Sequence, residues 1–192
     1  MARLVNETKV ITNPVRLSYA NIWDPKSING SDPKYSVCIL IPKEDTETLE
    51  CLKTAIDNAK ADGKDSKWGG KIPGKLKLPL RDGDDPDEDQ SDDENYNGCY
   101  FINTNSNTAP GIIDLAKNKI DDESEVYSGC WCRVSVNMFP YDAKGNKGVG
   151  CGLNNLQKVR DDEALAGRAK AEDDFDDDYE GDDSGLVDDM MN

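Results

Sequence analysis

The fold is decided by the stretch Cys130-Trp-Cys-Arg-Val-Ser-Val-Asn-Met-Phe139. Successive side chains of a β-strand point to opposite faces, so residues two apart share a face. One face of this stretch carries only apolar or sulfur-containing side chains: Cys130, Cys132, Val134, Val136 and Met138. The pattern predicts a long strand that buries this face in a β-rich core.

The opposite face of the same stretch mixes aromatic, cationic and polar side chains: Trp131, Arg133, Ser135, Asn137 and Phe139. Unpaired bases stack on aromatic rings for about 1–3 kcal/mol each, while cations follow the phosphates. We therefore predict that Trp131 and Phe139 stack on bases and that Arg133 contacts phosphate. The alternative is that the two rings pack beneath another segment or a dimer partner.

β-rich stretches flank this strand on both sides. Apolar runs predict further strands at 9–19, with a kink at Pro14, and at 35–41, 98–105 and 149–159, while the long strand itself lies within 126–141. Turn chemistry at 24–33 and 142–148 separates neighbouring strands. About five short strands with one inserted helix predict a small barrel or sandwich.

The inserted helix is predicted at 46–61. Leu49, Leu52, Ile56 and Ala59 recur at helical spacing and form one apolar stripe. Asp45 or Thr46 can cap its N-terminus, and Gly63 is expected to end it.

Two other segments add nucleic-acid signals. On strand 98–105, Phe101, Asn103 and Asn105 fall on the face opposite Tyr100 and Ile102, and we expect Tyr100 and Phe101 to stack on bases. The Gly-rich stretch 67–77 then places an aromatic ring among lysines, a weak signal by itself. From this stretch, and from Arg81 at the end of the same Gly- and Pro-rich loop, we predict stacking by Trp68 and phosphate contacts by Lys71, Lys75, Lys77 and Arg81.

The charge is distributed unevenly along the chain. The formal net charge is −16, which taken whole argues against nucleic acid binding. Residues 161–192 hold 14 acidic and two basic residues, however, and 82–94 hold nine acidic and no basic residues. The remaining body has a net charge of about +5. A mildly basic body with a detachable acidic tail is compatible with phosphate binding, and like-charged tails stay disordered and serve interaction.

Catalytic and metal-binding chemistry is poorly represented. The chain has no histidine, and its six cysteines form no CxxC pair. We expect reduced, buried thiols, no metal site and no cofactor. No Ser-His-Asp or Cys-His set is available, so we predict a non-enzymatic protein. The weaker alternative is a metal-dependent nuclease that uses carboxylates, but these cluster in low-complexity runs.

Several stretches resemble a family of bacteriophage single-stranded DNA-binding proteins. They are Pro33-Lys-Tyr-Ser-Val-Cys-Ile-Leu-Ile-Pro-Lys43, Gly74-Lys-Leu-Lys-Leu-Pro-Leu-Arg-Asp-Gly-Asp84, Tyr96-Asn-Gly-Cys-Tyr-Phe-Ile-Asn103, Glu125-Val-Tyr-Ser-Gly-Cys-Trp-Cys-Arg-Val-Ser135 and Gly145-Asn-Lys-Gly-Val-Gly-Cys-Gly-Leu-Asn-Asn-Leu-Gln157. The resemblance implies a mainly β, OB-fold-like five-stranded barrel with one inserted helix. The charge distribution, for its part, predicts a domain over 1–160, with an acidic mobile loop at 82–97, and a disordered acidic tail over 161–192.

The same resemblance implies that the protein coats and protects single-stranded DNA, without strong sequence preference, during phage replication or recombination. Such tails recruit replication or recombination proteins and can compete with DNA; the alternative is that the tail only maintains solubility. The partner-binding residues expected here are Asp176, Asp177, Asp178, Asp188 and Asp189, with apolar neighbours Phe175, Tyr179, Leu186 and Met190. A rival interpretation is an acidic DNA mimic or chaperone-like interaction protein. Whether RNA also binds stays open.

The N-terminus suggests no export. Residues 1–10 lack the apolar core of a signal peptide, and no apolar run reaches membrane-spanning length. We expect a cytoplasmic protein of the bacterial host cell.

Overall fold

The computed structural model describes residues 1–90 and 92–165. The predicted partner-binding residues of the tail therefore lie outside the described residues. Nine strands and one α-helix are found in the described part. They are β1 (Arg3–Leu4), β2 (Lys9–Ile11), β3 (Val15–Lys26), β4 (Lys34–Pro42), α1 (Thr46–Ser66), β5 (Arg81–Asp82), β6 (Cys99–Ser106), β7 (Gly111–Ile113), β8 (Trp131–Ala143) and β9 (Asn146–Arg160), with short 3₁₀ turns at Glu94–Tyr96 and Glu123–Glu125.

Five strands close into a ring in the order β3–β4–β6–β9–β8 and back to β3. All neighbours in the ring are antiparallel except β6 and β9, which are parallel. The prediction of a mainly β, OB-fold-like protein with five principal strands and one inserted helix is confirmed. The short strands β1, β2, β5 and β7 extend or flank the ring, and at two or three residues they are too short to show a period in the sequence.

The main core fills the inside of the ring. The predicted core face of β8 is buried from Cys130 to Met138, with at most 1% of any of these side chains exposed. Leu17, Ile39 and Ile102, from β3, β4 and β6, belong to the same buried cluster. Each fully buried aliphatic side chain contributes about 1.5–3 kcal/mol of hydrophobic free energy, so this interior is the main stabilising feature of the fold.

Helix α1 packs over β8 and extends five residues past its predicted end. Asp45 caps it as predicted, since its carboxylate accepts a hydrogen bond from the Thr48 amide at 3.1 Å. Gly63 does not end the helix. A Cβ there would lie 2.6 Å from Cβ of Pro140 and 2.7 Å from the Trp68 ring, so Gly63 permits close packing instead.

Strand boundaries differ from the prediction at several places. β8 runs to Ala143 and β9 begins at Asn146, so the turn predicted at 142–148 is confined to 144–145. The segment 9–19 is split at Asn13-Pro14 into β2 and β3, and β3 then runs on through Pro25, so the turn is confined to 27–33. Tyr19 sits at a β-bulge with a positive φ of 45°, which reverses the inside–outside alternation of β3. In the described part of the chain, no helix is long and apolar enough to cross a membrane.

Candidate nucleic-acid interface

One row of side chains crosses the outer face of five neighbouring strands. The strand register pairs Trp131 with Arg16, Arg16 with Leu40, Leu40 with Phe101 and Phe101 with Arg81. Outward-pointing aromatic and cationic side chains in register are the composition that a single-strand binder needs. We call these five residues the covered row, because other segments of the chain lie over them.

Residues 161–165, here called the tail root, cover one end of the row. Asp162 accepts a hydrogen bond from the indole N–H of Trp131 at 2.7 Å, which lowers the pKa of its carboxyl. The guanidinium of Arg160 lies 4.2 Å from the centre of the same ring. Arg16 donates to the carbonyl oxygen of Glu163 at 2.8 Å. Trp131 is therefore half-buried and already engaged by its own chain.

The other end of the row lies beneath the segment 82–97, here called the acidic excursion. Tyr96 is fully buried and meets Phe101 edge-on, with ring centres 5.2 Å apart. The Arg81 guanidinium lies 4.5 Å from the Phe101 ring centre. Phe101 is 0% exposed, so the expectation that its ring is free to stack on bases is wrong. Its strand face was predicted correctly, but Tyr96 fills the space where a base would lie.

Beside the covered row, the outer face opens into a groove. Its first part has a volume of about 430 Å³ and a floor formed by Ser36, Asn103 and Asn105. Tyr19, 62% exposed, lines this part of the groove, and on its other side it borders Asp89 and Asp93 of the acidic excursion. The aromatic ring and the amide side chains offer stacking and hydrogen bonding in one concave site.

The groove continues across β6 onto β9. A second part of about 660 Å³ shares Asn103 and Asn105 with the first and is lined further by Lys77 and Arg81. Gly150, also in its lining, lies against the ring of Phe139, which is 40% exposed. Strand glycines leave the backbone open to close approach by a ligand. The groove thus takes its lining from β3, β4, β5, β6, β8 and β9, and it extends from the β3–β4 turn to the β8–β9 hairpin.

Cations stand at both ends of the groove. Lys26 and Lys34 line it next to the β3–β4 turn, and Lys77 and Arg81 line it at the far end. Carboxylates lie beside these cations, Asp32 at the first end and Asp82, Asp85 and Glu88 at the far end, while the side chains between the two ends are neutral. An extended polyanion lying in the groove would therefore reach cations at each end in competition with carboxylates of the same chain.

The sequence and the fold are both similar to those of known proteins. The sequence matches the family described as "Enterobacter phage Enc34, ssDNA-binding protein" over residues 8–186. The chain belongs to this Enc34 single-stranded DNA-binding family. A protein of Acyrthosiphon pisum secondary endosymbiont phage 1, putative protein p50, is 30% identical over 181 residues, which cover 88% of this chain and 93% of the phage protein. The predicted resemblance is confirmed, as is the expectation of a non-enzymatic protein.

Solved structures of the Enc34 family share the fold. The single-stranded DNA-binding protein of bacteriophage Enc34 in complex with ssDNA superposes with a TM-score of 0.72 at 26% identity, covering 86% of this chain and 93% of that protein. The gp2.5 single-stranded DNA-binding protein of bacteriophage T7 superposes with a TM-score of 0.58 at 16% identity, covering 96% of this chain and all of that protein. At that identity the T7 protein supports the fold alone.

Three of the predicted site residues of this Enc34-family protein lie at the groove. Lys77 and Arg81 line it, and Phe139 borders it through Gly150. Lys71 and Lys75 are exposed in the loop before β5 but do not line the groove.

The remaining predicted site residues are engaged elsewhere. Trp68 is only 7% exposed and donates its indole N–H to the Tyr141 carbonyl oxygen, so the expectation of an exposed ring is wrong. Tyr100 lies on the opposite side of β6 from Asn103, near the ammonium groups of Lys43 and Lys53. The Arg133 guanidinium donates to the carbonyl oxygens of Thr12 and Met1 and to Gln157, which leaves it a bracing role.

Sequence reasoning missed Tyr19, Lys26 and Lys34. Continued alternation from Val15 and Leu17 would place Tyr19 inside the ring, and the bulge turns it outward. The two lysines flank a turn whose sequence is typical of any exposed hairpin, so their position beside a groove had no signal of its own.

The thiols behave as small buried side chains. All six cysteines are free, and Cys38, Cys130, Cys132 and Cys151 are buried. Desolvation raises the pKa of the Cys38 thiol to about 11. Within the described residues, no three Cys, Asp or Glu side chains are grouped so as to hold a metal ion.

Proposed function

We propose that the protein binds single-stranded DNA in the groove and coats it without strong sequence preference. The observation that carries the proposal is a continuous groove over β3, β4, β6 and β9 with cations at both ends, in a chain whose relative is solved in complex with ssDNA. The phosphates contact Lys26, Lys34, Lys77 and Arg81, and bases stack on Tyr19 and Phe139.

The lack of sequence preference follows from the groove's chemistry. Ser36, Asn103 and Asn105 can each donate or accept hydrogen bonds, so they suit the edges of different bases. Stacking on Tyr19 is equally tolerant, since every base has a π-face. In the host cell this activity would keep phage DNA single-stranded and protected during replication or recombination.

The acidic tail supplies the second half of the proposal. Residues 166–192 carry 11 acidic and two basic residues. Because the tail root is held beside Trp131 and Arg16, the tail is tethered to the outer face that carries the groove. We infer that it competes with DNA for the groove's cations at a millimolar effective concentration. Displaced by DNA, it recruits a replication or recombination protein through its acidic and apolar residues.

Paired lysine variants test where the DNA lies. Lys26→Gln with Lys34→Gln removes two cations from the groove, while Lys71→Gln with Lys75→Gln removes two exposed cations outside it. We expect the first pair to weaken binding to an oligo-dT strand and to reduce the slope of log affinity against log salt by about 1.4. The second pair should leave both nearly unchanged. Equal losses in the two pairs would show that DNA is held by the overall charge and not by the groove.

A further inference from the structure

The acidic excursion is fixed to the body at both of its ends. Near its start, Lys43 pairs with Asp82 at 2.6 Å and with Asp84 at 2.7 Å. Near its end, Tyr96 is fully buried between Ser18, Cys38 and Phe101, with its hydroxyl 3.3 Å from Ser18 Oγ. The chain between these anchors must therefore pass along the outer face, next to the groove.

Between the anchors, the excursion brings carboxylates into the groove's second part. Asp82, Asp85 and Glu88 share that lining with Lys77 and Arg81. Glu88 pairs with Arg81, with 3.0 Å between Oε2 and Nη1. At this end of the groove, the arginine that could bind a phosphate is thus paired with a carboxylate of the same chain.

Arg81 is held in a defined orientation. Its backbone pairs with Phe101 through the short strand β5, and its guanidinium lies over the Phe101 ring. A guanidinium held on an aromatic face presents its remaining N–H groups in a fixed fork, which suits a carboxylate or a phosphate equally well. Glu88 and a phosphodiester would therefore use the same donors.

We propose that Arg81 forms a phosphate subsite which Glu88 fills in the free protein, so that the acidic excursion is an internal competitor of DNA. The inference rests on the proposed function, because it assumes that single-stranded DNA lies in the groove. Binding exchanges Glu88 for a phosphodiester oxygen at Arg81. This exchange requires no rearrangement of the backbone of the five-stranded ring.

The exchange is physically accessible. The Arg81 and Glu88 side chains are 32% and 21% exposed, so water reaches the pair and can solvate the released carboxylate. Partly exposed ion pairs are weak and are screened by salt. Glu88 therefore lowers the affinity for DNA modestly, and most at low salt, without blocking the groove.

The test compares two variants that each remove one negative charge from the excursion. Glu88→Gln removes the partner of Arg81, whereas Asp87→Asn removes a neighbouring carboxylate that does not line the groove. Binding of an oligo-dT strand is measured by fluorescence anisotropy at low and high salt. We expect Glu88→Gln to bind about two- to fivefold more tightly than the wild type at low salt, with the difference shrinking as salt rises, and Asp87→Asn to match the wild type.

A double variant shows whether the effect passes through Arg81. In an Arg81→Ala background, Glu88→Gln should no longer increase affinity, because the competed donors are gone. If the wild type binds DNA but Glu88→Gln and Asp87→Asn behave alike, or if the gain persists without Arg81, the inference is overturned while the proposed function stands. If the wild type does not bind oligo-dT, the proposed function itself is wrong.

Discussion

The covered row and the groove lie side by side on the outer face of the sheet and share Arg81, yet most of the row is covered and the groove is not. The row holds Trp131, Arg16 and Phe101, the aromatic and cationic residues most typical of single-strand binding, but the tail root and the acidic excursion lie over them. The groove also carries aromatic side chains, Tyr19 and Tyr141, and its Tyr19 is 62% exposed. The composition of a strand face therefore indicates binding only where no other segment of the chain covers that face.

The largest expected difference between the two regions is in stability. Phe101→Ala removes a fully buried ring from beneath Tyr96 and Arg81, and such truncations cost about 3–5 kcal/mol of unfolding free energy. Chemical denaturation followed by tryptophan fluorescence measures the loss. A variant that keeps its stability but loses DNA affinity would mean that the covered row, and not the groove, is the DNA surface.

The next effect concerns affinity. Tyr19→Ala removes an exposed ring from the groove and should weaken oligo-dT binding by about 1–3 kcal/mol while leaving stability almost unchanged. Tyr100→Ala is the control, because Tyr100 lies on the opposite side of β6, where it packs against the main core, and the two affinities are compared per folded molecule. Similar affinity losses in both variants would contradict the proposed position of the bases.

The fold was predictable from sequence because it depends on alternation. The core face from Cys130 to Met138 and the helix stripe from Leu49 to Ala59 follow directly from periods of two and 3.6 residues. The site was predictable only in part. Asn103 and Asn105 were placed on the correct face, but the bulge at Tyr19 and the burial of Phe101 by Tyr96 depend on contacts between segments distant in sequence.

Truncating the chain at two different positions distinguishes the effect of the tail from the effect of the tail root. Truncation after Leu165 leaves the cover of Trp131 and Arg16 in place and should tighten oligo-dT binding about tenfold at low salt. Truncation after Arg160 also removes Asp162 and Leu165, which lie against the covered row. We expect this shorter chain to have an unfolding free energy about 1 kcal/mol lower than the chain truncated after Leu165, because hydrogen bonds and an apolar contact are lost. Unchanged affinity at low salt in both would leave solubility as the tail's supported role.

The smallest effect expected is in acid, at the anchor of the acidic excursion. Hydrogen bonds from Lys43 lower the pKa of both Asp82 and Asp84 below the ordinary value of 3.8. A carboxyl whose pKa is lower in the folded than in the unfolded state stabilises the fold above its unfolded pKa. That contribution is lost as the pH falls through the folded pKa. The anchor should therefore be at full strength at neutral pH and weaken below about pH 4.

Lys43→Met removes the ion pairs with Asp82 and Asp84 and so measures their contribution to stability. Lys53→Met is the control, because Lys53 also lies near Tyr100 but makes no ion pair with the described carboxylates. At neutral pH we expect Lys43→Met to unfold at a slightly lower denaturant concentration than the control. The gap between the two should close as the pH falls below about 4, since protonated Asp82 and Asp84 no longer distinguish the lysine from methionine. Denaturation midpoints measured from pH 7 down to pH 2 give the comparison. A gap that stays constant over this range would mean that Lys43 acts through its packing on Tyr100, and that the excursion is held by Tyr96 without help from charge.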